Sequence, residues 1–435
     1  MKVVGLITEY NPFHNGHKYH IEQARKITGA DYCIAVMSGN FVQRGTPAMM
    51  DKYSRAKMAL QNGVDLVLEL PVCYATGSAE YFAQGAVSLL DKLGVVNSLC
   101  FGSECGDITM IKSASQFLQN APEDFELRMQ DYMREGLTYP AARRKAVEHT
   151  LDNSNPYDGQ GLSKILTEPN NILGIEYCKA IINFSSSIEP ITIQRISAHY
   201  HEKELSVVNP ATGNTPTHSN PPISSATAIR NAIHQQRDHL AEGITKASQS
   251  VPEDVAQYLK ANYQITYPIT EEDFASILRY TLLKEDSKSL TNYLDITPDL
   301  AERLKNIKDY NMSIMALAQR IKTRNVTLTR INRALIHILL NIKSDTMEQY
   351  MAMGYTPYAR ILGIKKESTY LLRQIEKQER IPLITKVSKA TKQLDQLGMQ
   401  MLSQDIFAAD IYNQAVYQKY GTQILNEYKH GICMV

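Results

Sequence analysis

A chain of 435 residues is too long for one simple core and points to two domains, or three. Its 43% hydrophobic and 21% charged residues exclude a disordered or fibrous protein. The formal net charge of +1 gives no global sign of a polyanionic partner, although an average can hide a local asymmetry. The cysteines, Cys33, Cys73, Cys100, Cys105, Cys178 and Cys433, include no Cys-x-x-Cys pair, and most sit in apolar stretches. That pattern fits a reducing compartment better than a disulfide framework or a zinc site. No stretch approaches the ~20 apolar residues of a membrane span, and the run Met1–Ile7 is too short for a signal peptide. The expected location is the cytoplasm, with no membrane partner.

The first hundred residues alternate regularly. Val3–Thr8 reads as a strand rich in β-branched residues, and the helical spacing of Ile21, Ala24 and Ile27 predicts a helix from about Gly16, stopped at Gly29. Strands at Cys33–Met37, Leu66–Leu70 and Ser98–Phe101 alternate with helices near Lys52–Gln61 and Ser78–Lys92. Strand and helix alternating at these lengths predict a parallel sheet with right-handed crossovers. Ligands then collect beyond the carboxyl ends of the strands, here Thr8–His17, Ser38–Arg44, Pro71–Tyr74 and Gly102–Glu104.

From Asp107 to Thr150 the pattern turns helical. A helix at Ile172–Asn183 precedes a strand-like Ile191–Ile196, and Ser206–Pro222, rich in Pro, Asn, Thr and Ser, reads as a mobile loop. In Ile223-Ser-Ser-Ala-Thr-Ala-Ile-Arg230, Ser224 or Ser225 suits the N-cap of the next helix. Beyond about residue 238 the chain reads as nearly all helix. The fold class expected is α/β: a parallel-sheet domain over 1–238, followed by a mostly α-helical domain over 239–435.

Glu9-Tyr-Asn-Pro-Phe-His-Asn-Gly-His17 is the most informative segment. It lies between the first strand and the first helix, where unpaired N–H groups and the helix dipole favour phosphate. Gly16 leaves room for close approach of a nucleotide to the backbone, and His14 and His17 can both donate to phosphoryl oxygens. Two other readings stay open: ordinary loop histidines, and a metal site made with His20. The spacing of three and the lack of an intervening acid weigh against metal ligation, so no metal ligand is assigned.

This segment resembles the His-x-Gly-His signature of the nucleotidyltransferase superfamily, and residues 223–230 resemble its Ser-Ser-Thr-x-x-Arg-like loop, with Ala226 where many members carry threonine. Met37-Ser-Gly-Asn-Phe-Val-Gln-Arg-Gly-Thr-Pro47, Phe101-Gly-Ser-Glu104, Glu168-Pro-Asn-Asn-Ile-Leu-Gly174 and Arg195-Ile-Ser197 extend the likeness. Together they are similar to one family, the bacterial tRNA(Met) cytidine acetate ligases, along the whole chain. The resemblance implies a Rossmann-like nucleotidyltransferase domain that activates acetate with ATP as acetyl-adenylate. The acetyl group then passes to N4 of the wobble cytidine of elongator tRNA(Met), and magnesium accompanies the triphosphate.

Carried onto this chain, the ATP contacts implied are Ile7, Thr8, Glu9, Tyr10, Asn11, Pro12, Phe13, His14, Asn15, Gly16, His17, Lys18, Tyr19 and His20. Gly102, Asn171, Arg195 and Ile196 join them, with Asn170 as a neighbour. Ser224 and Ser225 supply hydroxyls, and His14, His17 and Arg230 are the catalytic set, Arg230 holding the leaving pyrophosphate. Arg44 is equally readable as a phosphate contact or a solvated side chain, and Glu104 and Asp107 read as turn and helix-capping residues.

Arg303–Lys343 is locally basic, and on its helix Arg330, Arg333 and His337 fall on one face beside the apolar stripe of Ile331, Ala334, Leu335 and Ile338. A solvated basic face is one reading. The other, favoured by the resemblance, is that Arg324, Arg330 and Arg333 hold the tRNA backbone while an unpaired loop base reaches the site. Two competing functions stand beside the ligase: a cofactor adenylyltransferase acting on a small phosphorylated substrate, and a non-catalytic RNA-binding protein on a degenerate nucleotide fold. The long basic tail argues against the first, and retention of His14, His17 and Arg230 against the second.

Overall fold

The structure, a computed structural model, describes residues 1–137, 139–150, 165–195, 222–234 and 240–435. Ile196, most of the Ser206–Pro222 segment and the 238/239 boundary lie outside them. Strands β1 (Val3–Thr8), β2 (Tyr32–Ser38), β5 (Leu66–Leu70), β6 (Ser98–Ser103) and β7 (Glu189–Gln194) are the parallel body of the sheet. Between β2 and β5 the chain makes a small antiparallel hairpin, β3 (Phe41–Val42) and β4 (Thr46–Pro47).

Strands β1, β2, β5 and β6 are mostly buried on both faces, and their residues alternate between two apolar layers. Val3, Ile34, Val36, Leu66 and Leu68 enter one, while Val4, Leu6, Cys33, Ala35, Met37 and Val67 enter the other. This is the period of two expected of a pleated strand covered on both sides. The crossovers are α1 (Asn15–Thr28), α2 (Lys52–Gln61), the short α3 (Val72–Ala75) and α4 (Ala79–Lys92). After β6 follow α5 (Ile108–Gln119), α6 (Glu123–Arg134), α7 (Tyr139–Thr150) and α8 (Pro169–Asn183), then α9 (Ala226–His234) after β7. Local chemistry sets the boundaries. Gly29, at φ 62°, ends α1 in the left-handed region, and Asp51 caps α2 by accepting from Tyr53 N and Ser54 N. Asp107 caps α5 in the same way.

The strand order β5-β2-β1-β6-β7 reverses direction at β1. A crevice therefore opens at the carboxyl ends of β1 and β6, where successive crossovers leave in opposite senses. The C-terminal part is mostly helical, as expected: α10 (Leu240–Ser248), α11 (Glu253–Asn262), α12 (Ala275–Lys284), α13 (Ser287–Leu290), α14 (Pro298–Lys305), α15 (Ile314–Ile321), α16 (Leu328–Leu339), α17 (Ser344–Ala352), α18 (Thr369–Glu376) and α19 (Gln396–Tyr420). It also returns three strands that helical periodicity did not suggest. β8 (Ala359–Ile364) pairs antiparallel with β5, and β9 (Leu383–Ile384) and β10 (Cys433–Met434) pair parallel with β8. No helix among the described residues is long and apolar enough to cross a membrane, and the six cysteines are free thiols.

Candidate active site

At the end of β1 the chain turns through Tyr10, whose φ of 48° is unusual for a residue with a side chain. The strained residue is held by burial: its ring lies 4.9 Å from both Phe13 and His17, and Phe13 is itself fully buried. This turn delivers His14 to the N-cap of α1. Gly16 N–H donates to His14 Nδ1 at 3.1 Å, and His14 N–H donates to His17 Nδ1 at 3.2 Å. The two rings stack with centroids 3.6 Å apart.

An Nδ1 that accepts carries no proton, so both neutral rings hold theirs on Nε2, where it is available as a donor. Burial, then Arg195 and Arg230, lower the His14 pKa to about 3. Burial followed by His14, His20 and Arg195 holds His17 well below the usual imidazole value, and burial with Arg195 brings His20 to about 4. Neutral donors thus sit among fixed cations. Gly16 has a reason beyond nucleotide approach: a Cβ there would stand 2.9 Å from His14 Cε1 and 3.3 Å from Ile223 Cγ2.

The two motifs meet directly. Arg230 Nη1 donates to the carbonyl of Asn11 at 2.6 Å, and its Nη2 donates to Thr227 Oγ1 at 3.1 Å. Asn15 Nδ2 reaches the carbonyl of Pro222 at 3.0 Å. Ser225 accepts from Ala228 N at 3.1 Å as the N-cap of α9, and Ser224 Oγ lies 2.8 Å from Ser250 Oγ. Loss of water lowers the Arg230 pKa, Glu9 opposes this, and Arg44 adds to the lowering.

On the β6–β7 side, Glu104 accepts from Asn170 N and Asn171 N at the start of α8, and from Asn170 Nδ2 at 2.5 Å. Asn171 is fully buried, and its Oδ1 accepts from Glu104 N and Cys105 N. Its Nδ2 donates to Glu168 at 2.9 Å, so the amide clips the β6 loop to α8. Arg195 Nη1 lies 3.4 Å from Asn170 Oδ1, and its chain crosses Gly102, where a Cβ would come within 3.3 Å of Arg195 Cγ. Arg195 stays largely solvent-exposed, yet desolvation and Arg44 lower its pKa against the pull of Glu104.

Glu9, Asn11, His14, His17, His20, Gly102, Asn170, Asn171, Arg195 and Arg230 therefore gather around the crevice at the carboxyl ends of β1 and β6. Lys18 and Tyr19 do not. With Asn15 and Glu22 they occupy the other face of α1 and line a separate cleft of about 880 Å³ against Asp254 and Lys365. Ile7 and Thr8 end β1 opposite Val36 and Met37, and Asn11, under Pro12, accepts from Met49 N at 2.8 Å.

The residue that motif reading passed over is Arg55. Fully buried on α2, it donates to the carbonyls of Glu9 at 2.6 Å, Ser38 at 3.1 Å and Met50 at 3.1 Å, and to that of Gly39. Its signal was available: an arginine on the helix face shared with Ala56, Ala59 and Leu60.

The basic helix is α16. Arg324, before it, is exposed and Arg330 half-buried, and Arg333 donates from Nε to Asp295 at 2.9 Å. His337 stands by Arg333, 3.8 Å from the same Asp295 carboxylate, but deeper in the protein. It is fully buried, with Nδ1 2.9 Å from the carbonyl of Leu294 and Nε2 3.0 Å from that of Thr76. The spacing of four does bring it beside Arg333, but the packing of α16 buries it, so it is not part of a solvent-facing basic surface.

A HIGH Nucleotidyl Transferase family model matches residues 1–427. A tRNA(Met) cytidine acetate ligase of Clostridium perfringens is 40% identical over 418 residues, 95% of each chain. The one from Acetivibrio thermocellus is 38% identical over 414 residues, covering 95% of this chain and 94% of its own. The chain belongs to the tRNA(Met) cytidine acetate ligase family. Two solved structures of this family, both Thermotoga maritima TmcAL, align over the full length of both chains. One, bound with alpha-thio ATP, has a TM-score of 0.84 at 29% identity, and the other, without ligand, 0.87 at 30%.

Proposed function

We propose that this protein is an ATP-dependent ligase that activates acetate as acetyl-adenylate and acetylates N4 of the wobble cytidine of elongator tRNA(Met). The observation that carries the reading is the joining of the two motifs: Arg230 bonded to Asn11 O beside two stacked imidazoles with their Nε2 protons outward. An acetate oxygen attacks the α-phosphorus of ATP, and the bond to the β-phosphate oxygen breaks, releasing pyrophosphate. His14 and His17 donate to the phosphoryl oxygens as charge builds there, while Arg195 and Arg230 hold the departing pyrophosphate. N4 of cytidine then attacks the acetyl carbonyl, AMP leaves, and the amine gives up a proton. The wobble base belongs to an unpaired loop, so no duplex is opened to present it.

The residues fit a magnesium ion carried on the triphosphate. Among the described residues no three acidic, histidine or cysteine side chains converge as a metal cage, and this ion keeps much of its water shell beside phosphates. Glu104 is committed to the start of α8, whereas Glu9 uses one oxygen for Gln43 N at 3.0 Å, leaving its second oxygen to hold that shell. When bound, the ion neutralises charge on the leaving group. Arg324, Arg330 and Arg333 supply cations for the tRNA backbone, and ATP and tRNA as substrates place the reaction in the cytoplasm. Incubation with ATP, acetate and unmodified elongator tRNA(Met), followed by mass spectrometry of its nucleosides, should yield N4-acetylcytidine with AMP and pyrophosphate. Absence of that nucleoside removes the assignment.

A further inference from the structure

Bonded to the loop that carries His14 is the β3–β4 hairpin, which pairs Phe41 with Pro47 and Val42 with Thr46. Its tip, Gln43-Arg44-Gly45, is closed by a bond from Gly45 N to Val42 O at 2.9 Å. The base of the hairpin is anchored by Phe41, which is fully buried with its ring 5.4 Å from Phe274 and 6.2 Å from Tyr412. Two further contacts fix the tip. Gln43 N donates to Glu9 on the loop that carries His14. Gly45, at φ +71°, lies against the backbone of α16, where a Cβ would stand 2.2 Å from Arg333 N and 2.4 Å from Asn332 C. Only glycine satisfies both the conformation and the approach.

Between these anchors stands Arg44, an exposed residue. Its charge reaches Arg195 and Arg230, which stand on different elements across the crevice. Arg195 and Arg230 act on the uncharged imidazoles, and Arg44 acts on both of those guanidiniums. The acidic side chains acting on Arg195 and Arg230 are Glu9, Glu104 and Glu271, of which Glu104 is tied to α8 and Glu9 to the hairpin. Such a gathering of planar, forked donors suits an anion with several phosphates rather than one carboxylate.

We propose that Arg44 is the third guanidinium of the triphosphate site, delivered by the hairpin to the β- and γ-phosphates that leave as pyrophosphate. This rests on the ATP-dependent reading above and adds to it a group outside both motifs. It also gives the crevice a physical link to α16, because the tip leans on the turn that carries Arg333.

The test uses the full chain, with ATP and AMP binding measured by calorimetry and acetate-dependent ATP–pyrophosphate exchange as the kinetic readout. Arg44→Ala should weaken ATP binding about tenfold or more, the scale of one lost charge-assisted phosphate contact, and slow exchange at fixed ATP. AMP binding should stay unchanged, since AMP lacks the phosphates concerned, and Arg44→Lys should recover part of the loss. Gly45→Ala keeps the arginine but drives the tip off α16, and should show the same ATP-selective loss with the fold intact by circular dichroism. Wild-type ATP affinity in Arg44→Ala, or an equal loss for AMP and ATP, overturns the proposal. Wild-type affinity in Gly45→Ala overturns delivery by the hairpin. If the unaltered protein neither binds ATP nor exchanges pyrophosphate, the ligase reading itself fails.

Discussion

Each imidazole of the His14–His17 pair spends its Nδ1 on a backbone N–H and so presents Nε2–H outward. The same bonds that cap α1 therefore choose the tautomer a phosphate needs. The arrangement has a consequence for acid stability. The folded pKa of His14, about 3, and of His20, about 4, lie below the unfolded value of 6.5. Above pH 6.5 both states are neutral and the groups are without effect. Below it the unfolded chain binds protons that the folded chain refuses, so stability falls as pH drops from 6.5 toward 4 and then 3. Each such histidine contributes at most about 1.4 kcal/mol per pH unit across that window. Urea unfolding at pH 6.5 and pH 4.5 should therefore show a marked loss in the unliganded protein and a smaller one in His14→Gln. An unchanged pH slope in the variant would contradict the neutral, buried imidazole.

At the scale of elements, α2 carries a cation that belongs to the loops. Arg55 ties the carbonyls of Glu9, Ser38 and Gly39, which end β1 and β2, to that of Met50 just before the helix. Burial lowers its pKa, while Tyr412, Asp51, Glu9 and Glu69 act to raise it. Arg55→Met removes every donor and leaves the carbonyls in a dry space. It should destabilise the protein by about 3 kcal/mol or more in denaturant titration, since each orphaned buried acceptor costs about 1–3 kcal/mol. Arg55→Lys should recover only part, because an ammonium cannot span the same carbonyls. None of this was legible from motifs, which mark residues that face a ligand rather than those that hold the loop from behind. By contrast, β1 and β5 were legible to the residue, because each is a short apolar run bounded by turn residues and buried on both faces.

Across the whole molecule, the two halves of the chain share a dry cluster of charges. Lys52 of α2 bonds Glu69 of β5 at 2.7 Å and Glu427 near the C-terminus at 2.9 Å, and Arg360 of β8 bonds Glu427 as well. Burial alone would raise the Glu427 pKa, but Lys52 and Arg360 hold it below the usual value. Replacing Glu427 with Ala leaves two buried cations, Lys52 and Arg360, sharing the single carboxylate of Glu69, and should cost about 3–5 kcal/mol, read as a large drop in thermal midpoint. Adding Lys52→Met to Glu427→Ala should restore part of that loss, because Glu69 then balances Arg360 alone; a purely additive pair would show that the cluster does not couple. Such long-range pairing carries no local signature. Residues 69, 360 and 427 are ordinary charges in sequence, and only the return of β8 and β10 to the sheet brings them together.

What the sequence by itself determined was the period of its strands, the stops at Gly29 and Pro71, and the two motifs with their order along the chain, all short-range properties of neighbouring side chains. The tertiary structure alone decided that Arg230 reaches Asn11 O, that His337 is buried against the carbonyls of Leu294 and Thr76, and that a hairpin tip stands between the crevice and α16. Those outcomes depend on which surfaces lose water together, a quantity that exists only once distant segments have packed.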